Sequence, residues 1–355
     1  MTDIDDDEVA HGWDAIDAAC KTIYPTQEPK HYGTLISHRL GGPDPLQGIS
    51  AYKRMEPLPH WHFVTYGFTE LYQKESDDAQ ISGYGFELTL RLRCAPDADE
   101  PPAWALNFLQ NLARYVFQTG NVFRDGDWMA ANGPIAVEED TRLTYVAFAA
   151  DPEMPARDTP NGRFEFLQVI GLTEDEAYAA RQWRTLNLLD VLQPHMPLWI
   201  TDLARPSLLD QPGVRDRIAR GKAADGSSTG CVYTDELDWR QQKRLLGKPV
   251  TVVTIGALQV QEATTLLPLR LPFDRNLRLL GGRMSVLFQP GDANALRTED
   301  NVLYITLDGA ALAEIAQLLQ PRRGEYPLKS FKGLRLDVRP TEIKDPKGNV
   351  VQTIG

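Results

Sequence analysis

The stretch SGYGFELTLRLR, residues 82–93, carries the clearest strand signal in the chain. Its apolar and polar side chains alternate: Phe86, Leu88, Leu90 and Leu92 against Glu87, Thr89, Arg91 and Arg93. Because successive side chains of a strand point to opposite faces, this pattern predicts a strand with one face buried and the other in water. The next apolar segment, AWALNFLQNLARYVFQTG at 103–120, places leucines at helical spacing and ends at Gly120. The sequence therefore predicts a strand at 82–93 that is followed directly by a helix.

Further elements on both sides of this pair predict a sheet with packed helices. An amphipathic helix is predicted at 12–25, and a strand at 60–68. Strands are also predicted at 141–150 and 163–172, and helices at 173–183 and 185–193. The strands and helices do not follow a strict β-α-β order, which favours an α+β sheet with helices to one side over a doubly wound fold.

The length and a change in composition predict two domains. A chain of 355 residues is more naturally interpreted as two domains than as one. Charged segments surround the turn-like DGSSTG between 206 and 249. We therefore predict a first domain at 1–205, a linker or junction at 206–249 and a smaller, strand-rich domain at 250–355, each a mixed or antiparallel sheet with packed helices. Within the last domain, strands are predicted at 250–262, 265–271, 277–280, 283–289, 302–307 and 333–339, and a helix at 309–319.

Charge and hydropathy argue against several classes of partner. The 37 Lys and Arg against 49 Asp and Glu give a net charge of −12, which opposes binding to nucleic acid phosphates and favours a basic protein partner. The apolar runs are far shorter than the ~20 residues of a membrane helix. The acidic start, MTDIDDDEVAHGW, lacks the features of a secretory signal, and the three cysteines lie far apart. We expect a cytoplasmic protein with no membrane or nucleic acid partner.

Two histidines, His60 and His62, lie one residue apart on a predicted strand and raise the question of a metal site. A metal needs a third and usually a fourth ligand. His31 and His38 are available, but neither is part of a ligand motif. The simpler interpretation is a pair of strand histidines that pack or form local hydrogen bonds, so no metal and no cofactor is predicted.

The sequence lacks the glycine-rich motifs of phosphate binding and a cysteine next to a histidine. It contains no Walker A or Gly-x-Gly-x-x-Gly pattern, and no cysteine has an adjacent histidine. The short Gly-x-Ser-x-Gly spacing occurs at 226–230, inside the turn-like DGSSTG, and Ser-x-x-Lys occurs at 50–53, inside a predicted alternating stretch. Acid pairs such as Asp125 and Asp127 more often lie on solvated turns than act in catalysis. We therefore predict that the protein is not an enzyme and has no catalytic residues.

Six long motifs occur in an order and spacing that resemble the Suppressor of fused family. They are LGGPDPL (40–46), HWHFVTYGFTELY (60–72), SGYGFELTLRL (82–92), ARYVFQTGNVFRDGDW (113–128), FLQVIGLTEDE (166–176) and LWITDL (198–203). The resemblance covers about residues 12–205. It thins beyond residue 250, where 266–288 is similar to a second-domain segment and the long polar insertion of animal members is missing. The chain therefore resembles a compact, bacterial-type member.

The resemblance implies a protein-binding function rather than catalysis. Animal members hold an extended peptide of a zinc-finger transcription factor between their two domains, where it adds as a strand, as in β-augmentation. Members of the compact branch are described as immunity proteins that mask toxins. By resemblance, we expect this chain to clamp an extended segment of another protein, such as a toxin, in a cleft between its domains.

The same resemblance identifies candidate partner-binding residues. Tyr115 matches the tyrosine of the family's Arg-Tyr-Val-Phe motif, and Asp127 matches the aspartate of its Ser-Gly-Asp turn. Phe123 and Asp125 lie between them, and Arg283 belongs to the second-domain segment. Asp125 is an extra acid that departs from the family pattern. The plainer interpretation remains open: Tyr115 as a half-buried helix residue and Asp127 as a turn residue that satisfies its own backbone.

The alternative function is a metal-dependent hydrolase. His60 and His62, with nearby carboxylates, could belong to a metal-dependent hydrolase. The two classes differ in whether the histidines meet further metal ligands in the folded chain.

Overall fold

Two units, each built on β-sheet, make up the fold of the computed structural model, which describes residues 10–36, 38, 41–243, 249–344 and 348–355. Unit 1 extends to Ala180 and continues over Thr185–Arg215, and unit 2 contains Arg181–Arg184 and Asp216–Gly355. The segment predicted as a junction, 206–249, includes a helix and two strands. Its residues 244–248, like the acidic start at 1–9, lie outside the described residues. The predicted limits of the domains stay a prediction.

The elements of unit 1 agree closely with those expected from the sequence. Its strands are β1 (Lys30–Gly33), β2 (Gly48–Arg54), β3 (His60–Tyr66), β4 (Ile81–Arg93), β5 (Trp128–Ala130), β6 (Leu143–Ala150), β7 (Arg157–Thr159) and β8 (Gly162–Thr173). Its helices are α1 (His11–Ile23), α2 (Ala103–Thr119), α3 (Glu174–Gln182), whose last residues belong to unit 2, and α4 (Thr185–Leu192). The predicted ends of the four helices and four long strands differ from these by at most two residues.

The strands of unit 1 form one mixed sheet. Their order is β1-β2-β3-β4-β8-β6-β5, with β7 paired to β8. β4 and β8 run parallel, with Leu90 opposite Val169, and the other pairs are antiparallel. The segment 82–93 thus lies at the centre of the sheet. The α+β fold class predicted from the sequence is confirmed.

Helices cover both faces of this sheet. α2 packs on the face that carries Phe63 of β3 and Leu88 of β4. α1 packs on the opposite face, where its Ile16 lies in one cluster with Val64 and Tyr66 of β3. The prediction of helices on one side only is wrong, because β3 carries apolar side chains on both of its faces.

The polar face of β4 is buried, which corrects the expectation that it lies in water. Glu87, Thr89 and Arg91 are all 0% exposed. Glu87 accepts hydrogen bonds from Thr65 and from the 67–69 loop, and Thr89 donates to a buried aspartate that also binds Arg91. Alternation therefore marked the two faces correctly, but these polar side chains are satisfied by protein groups instead of by water.

Helix α2 forms because its apolar residues make one continuous stripe. Leu109, Leu112 and Val116 are buried on the side facing the sheet. The helix ends at Gly120, whose φ of 72° is left-handed and whose N–H donates to the carbonyl of Val116. Among the described residues, no helix has the length and hydropathy that crossing a membrane requires.

Unit 2 is rich in strands, and its described residues form three sheets. Its helices are α5 (Val214–Asp225), which starts in unit 1, α6 (Ala257–Leu266) and α7 (Gly309–Leu318). Its strands are β9 (Cys231–Tyr233), β10 (Leu237–Gln242), β11 (Val250–Gly256), β12 (Leu277–Leu280), β13 (Ser285–Pro290), β14 (Ala295–Glu299), β15 (Val302–Leu307), β16 (Gly324–Pro327), β17 (Leu334–Arg339), β18 (Thr341–Lys344) and β19 (Val350–Ile354). The sheets have the orders β14-β15-β13-β12-β9, β10-β11-β17-β16 and β18-β19.

Two strand predictions in unit 2 are wrong, one in its second half and one throughout. The sequence indicated strands at 250–262 and 265–271, but the first strand ends at Gly256 and helix α6 follows at once. Ala257, Val260, Ala263 and Leu266 are buried at a spacing of three residues, which is helical. Short 3₁₀ turns at Leu267–Leu269 and Leu271–Phe273 replace the second strand.

Candidate partner-binding surface

Tyr115 is the exposed end of a column of stacked aromatic rings. It lies in the last turns of α2 with 36% of its surface exposed. Its ring centroid is 5.7 Å from that of Phe123, and the planes are nearly parallel, at 14°. Phe123 in turn stacks on Phe148 of β6 at 4.0 Å, deep in the core. An exposed side chain is thus supported by rigid packing beneath it.

The hydroxyl of Tyr115 is held by the turn that follows the helix. Asn121 Nδ2 donates to Tyr115 Oη over 3.1 Å, and Thr119 Oγ1 donates to the Tyr115 carbonyl over 2.7 Å. The left-handed Gly120 brings Asn121 back toward the helix. Because the hydroxyl oxygen accepts from Asn121, its own hydrogen remains available to an acceptor outside the protein.

Asp127 closes a tight turn, and among the described residues its Oδ1 accepts no backbone hydrogen bond. Its N–H donates to the Arg124 carbonyl over 3.0 Å, and its Oδ2 accepts from the Arg124 N–H over 2.9 Å. Gly126 has a φ of 90°, a conformation that favours glycine. The turn is fixed to β6, since Gly126 N–H donates to the Phe148 carbonyl and the Asp127 carbonyl accepts from Phe148 N–H, both over 2.9 Å.

Asp125 projects from the same turn. Its Oδ1 accepts the N–H of Ala150 over 2.9 Å, so its side chain is oriented although it is exposed. The structure therefore places four of the five candidate residues around one loop of unit 1. We call Tyr115, Phe123, Asp125 and Asp127 the Tyr115 surface. Arg283 belongs to unit 2, where it is exposed in the turn between β12 and β13.

Asn121 and Phe148 support the Tyr115 surface, and sequence reasoning missed both of them. Asn121 follows the helix-ending glycine, which is a signal for its position but not for its contact with Tyr115. Phe148 is 25 residues from Phe123 in the chain, and only the fold brings the two rings together. Asn121 holds the hydroxyl of Tyr115, and Phe148 supports the ring of Phe123 from the core.

The histidines of β3 have structural partners. His60 and His62 are both 0% exposed. His60 Nδ1 lies 2.6 Å from the Leu58 carbonyl, so it must donate. His62 Nδ1 lies 2.9 Å from Tyr24 Oη, and its Nε2 is 3.6 Å from Asp151 Oδ2. The simpler sequence interpretation, local hydrogen bonding and packing, describes both contacts.

The cation beside these histidines is the guanidinium of Arg91. Arg91 Nη1 and Nη2 donate to the two carboxylate oxygens of Asp151 over 2.6 and 3.0 Å, and Nη2 also donates to Glu153 over 3.0 Å. Burial and the charge of Arg91 lower the pKa of His62 to about 4. Burial opposes ionisation of Asp151, but His62 and the charge of Arg91 hold its pKa well below the usual range. We call His62, Arg91, Asp151 and Glu153 the Arg91 cluster.

This arrangement gives no support to the metal-dependent hydrolase. Across the described ranges, no group of three His, Cys, Asp or Glu side chains is placed to hold a metal ion. The carboxylates near His62 are already paired with arginine, and a second cation there would be repelled.

Comparison with known proteins identifies the family. A family model described as Suppressor of fused protein (SUFU) matches residues 42–206. The Suppressor of fused homologs of Mus musculus and Homo sapiens are each 33% identical to the chain over 246 residues, which is 63% of this chain and 51% of the relative. The chain belongs to the Suppressor of fused family. It spans about half the length of these two Suppressor of fused relatives.

Two solved Suppressor of fused structures are similar to this one. Drosophila Suppressor of Fused has a TM-score of 0.81 and 20% identity, with 95% of this chain and 99% of that chain covered, which shows a shared fold. A chain of the Sufu-Fu complex has a TM-score of 0.55 and 30% identity, with 59% of this chain and 98% of that chain covered. The assignment to a compact, bacterial-type Suppressor of fused branch stays a prediction.

Proposed function

We propose that this chain is a non-catalytic protein that binds an extended segment of a partner protein at the Tyr115 surface. The family supports this, because a relative of 30% identity was solved as the Sufu-Fu complex. The observation that carries the proposal is the exposed ring of Tyr115 stacked on Phe123, together with two oriented carboxylates on the loop that contains Phe123. Tyrosine on a rigid support is typical of residues that dominate binding energy at protein interfaces.

The unused hydrogen-bonding groups of the surface define the partner's chemistry. Tyr115 offers one O–H donor, and Asp127 offers the oxygen that the turn does not use. A histidine, lysine or arginine could donate to Asp127 in a charge-assisted hydrogen bond. The net charge of −12 favours the approach of such a basic segment.

Capture of the partner from the source organism tests the proposal. Wild type and Asp127→Ala are immobilised and exposed to an extract of the source organism. The protein that the wild type retains is identified, and its affinity for both variants is then measured by titration. Removing one member of a buried charged pair costs roughly 2–5 kcal/mol, so we expect Asp127→Ala to weaken binding at least tenfold. Glu138→Gln, an exposed acid of the same unit, is the control and should bind as the wild type does. Equal affinity of wild type, Asp127→Ala and Tyr115→Ala would remove the Tyr115 surface from the interface.

A narrower form of the proposal is that the partner is a toxin that this chain masks. It is supported by the resemblance to compact members alone. Co-expression of the captured partner with and without this chain tests it: the partner alone should stop growth of the host cell, and the chain should restore growth. A harmless partner would leave binding intact and reject the masking role.

A further inference from the structure

A groove with a volume of about 840 Å³ lies beside the Tyr115 surface, entirely within unit 1. Its three walls are the start of β4 at 81–86, the loop at 122–125 and the β7–β8 hairpin at 158–165. Phe123 belongs to both features, because one of its ring contacts is Tyr115 and its side chain also lines the groove. A segment bound at Tyr115 is therefore adjacent to the groove.

A bulge at the start of β4 shapes the apolar wall. Ile81 pairs with Arg163 and Phe86 with Glu165, so residues 82–85 of β4 face a single residue of β8. Gly83 and Gly85 have φ values of 55° and 84° and allow this excursion. The apolar groups that line the groove include Ile81, Tyr84, Phe86, Phe123 and Phe164. Ile81 is 42% exposed, which is unusual for an isoleucine in a central strand.

Two arginines, Arg124 and Arg163, and three carboxylates line the groove, and two of these carboxylates form no salt bridge within the described part of the chain. Arg163 forms a salt bridge with Asp158 at 3.3 Å. Asp125 and Glu165 come from different elements and both line the groove, and within the described part of the chain neither forms a salt bridge. Burial and the nearby charge of Asp125 raise the pKa of Glu165, although Arg163 acts in the opposite direction. Two carboxylates close enough to repel each other are stabilised by a cation placed with them.

We propose that the groove binds a lysine or arginine side chain of the partner segment, with Asp125 and Glu165 as the groups that hold its charge. The apolar walls suit the methylene stem of such a side chain, which packs on apolar surface while its charged end meets the carboxylates. An acidic side chain would be repelled there, and an aliphatic one would leave the carboxylates unpaired. This inference rests on the proposed function, since it specifies what the partner segment carries next to the residue that meets Tyr115.

A selection with random peptides tests the proposal and does not require the natural partner. Nine-residue peptides displayed on phage are selected on the full chain as wild type, Glu165→Gln and Asp125→Asn. We expect peptides with lysine or arginine beside an apolar residue to be enriched at least tenfold on the wild type. Glu138→Gln should reproduce that selection, since it removes the same charge away from the groove.

The best peptide is then synthesised with its basic residue and with norleucine in its place, and both are titrated by calorimetry. The basic peptide should bind the wild type at least tenfold more tightly than the norleucine peptide, and this preference should disappear on Glu165→Gln. Melting curves of the variants confirm that they are folded. No enrichment, enrichment of peptides without a basic residue, or a preference that survives both Glu165→Gln and Asp125→Asn overturns the proposal.

Tyr115→Ala separates this inference from the proposed function. A basic preference that persists on Tyr115→Ala with unchanged affinity supports the groove and rejects Tyr115 as part of the same site. Loss of binding on Tyr115→Ala with no basic preference on the wild type supports the surface and rejects the groove.

Discussion

Arg91 forms buried ion pairs that the sequence pattern did not predict. An alternating pattern assigns it to a wet face, yet its guanidinium is 0% exposed and forms ion pairs with Asp151 and Glu153. Its main partner lies 60 residues away, and a local pattern contains no information about contacts at that distance. Sequence reasoning therefore predicted the strand and missed the Arg91 cluster.

We expect Arg91→Met to lower the free energy of unfolding by about 3–5 kcal/mol, because the substitution leaves the Asp151 carboxylate buried without its cation. Urea unfolding of the full chain measures this. Arg93→Met is the control: Arg93 pairs with Asp202 near the surface, so its loss should change stability by less than about 1 kcal/mol. If charge burial is the cause, Arg91→Met combined with Asp151→Asn should be more stable than Arg91→Met alone.

His62 should make the protein less stable in mild acid. Its pKa is about 4 in the folded chain and 6.5 for an ordinary histidine, so the unfolded chain binds the proton more readily. The loss of stability begins as the pH falls below about 6.5 and is complete below about 4. Its slope reaches at most about 1.4 kcal/mol per pH unit for one histidine.

Unfolding of wild type and His62→Gln at pH 7, 6, 5 and 4 checks this sign. The two proteins should show a constant difference in stability at pH 7 and above, and the wild type should lose more than the variant between pH 6 and pH 4. Parallel curves over this range would show that His62 does not take up the proton. His60 is also buried with a lowered pKa, so the variant is expected to retain part of the acid sensitivity.

Among the elements, α2 and the turn after it show how far sequence reasoning extends to the site. The helix was predicted from its leucine stripe, and its end from Gly120. The assignment of Tyr115 and Asp127 to one binding surface was implied by the family resemblance and not by a local pattern. The column through Phe148 could not be predicted, because it depends on where β6 lies in the sheet.

Gly120→Ala should destabilise unit 1 by about 1 kcal/mol, because its φ of 72° is left-handed and alanine is strained there. A Cβ at this position would meet nothing within 4 Å, so strain is the expected cause and not a clash. Gly120→Asn is the matched variant, since asparagine tolerates this conformation better. Thermal melting should rank wild type, Gly120→Asn and Gly120→Ala in falling order. An alanine variant as stable as the asparagine variant would contradict the argument.

On the scale of the whole molecule, we predict that unit 2 contributes to partner binding through Arg283. The family resemblance assigns Arg283 to the interface, and the structure places it in an exposed turn of unit 2. We expect Arg283→Glu to weaken binding of the captured partner several-fold, because the resemblance implies a contact of this arginine with the partner and the substitution removes it. Lys332→Glu, the same change at another exposed position of unit 2, is the control and should have little effect. Equal effects of both changes would indicate a general dependence on net charge.

The central position of β4 has a consequence for the newly made chain. Arg91 leaves the ribosome about 60 residues before Asp151, and at roughly 5–20 residues per second that interval lasts about 3–12 s. β8, the parallel neighbour of β4, is made later still. Until then, Arg91 lacks its carboxylate partner and one edge of β4 has no neighbouring strand. During this period we expect the nascent protein to depend most on chaperones.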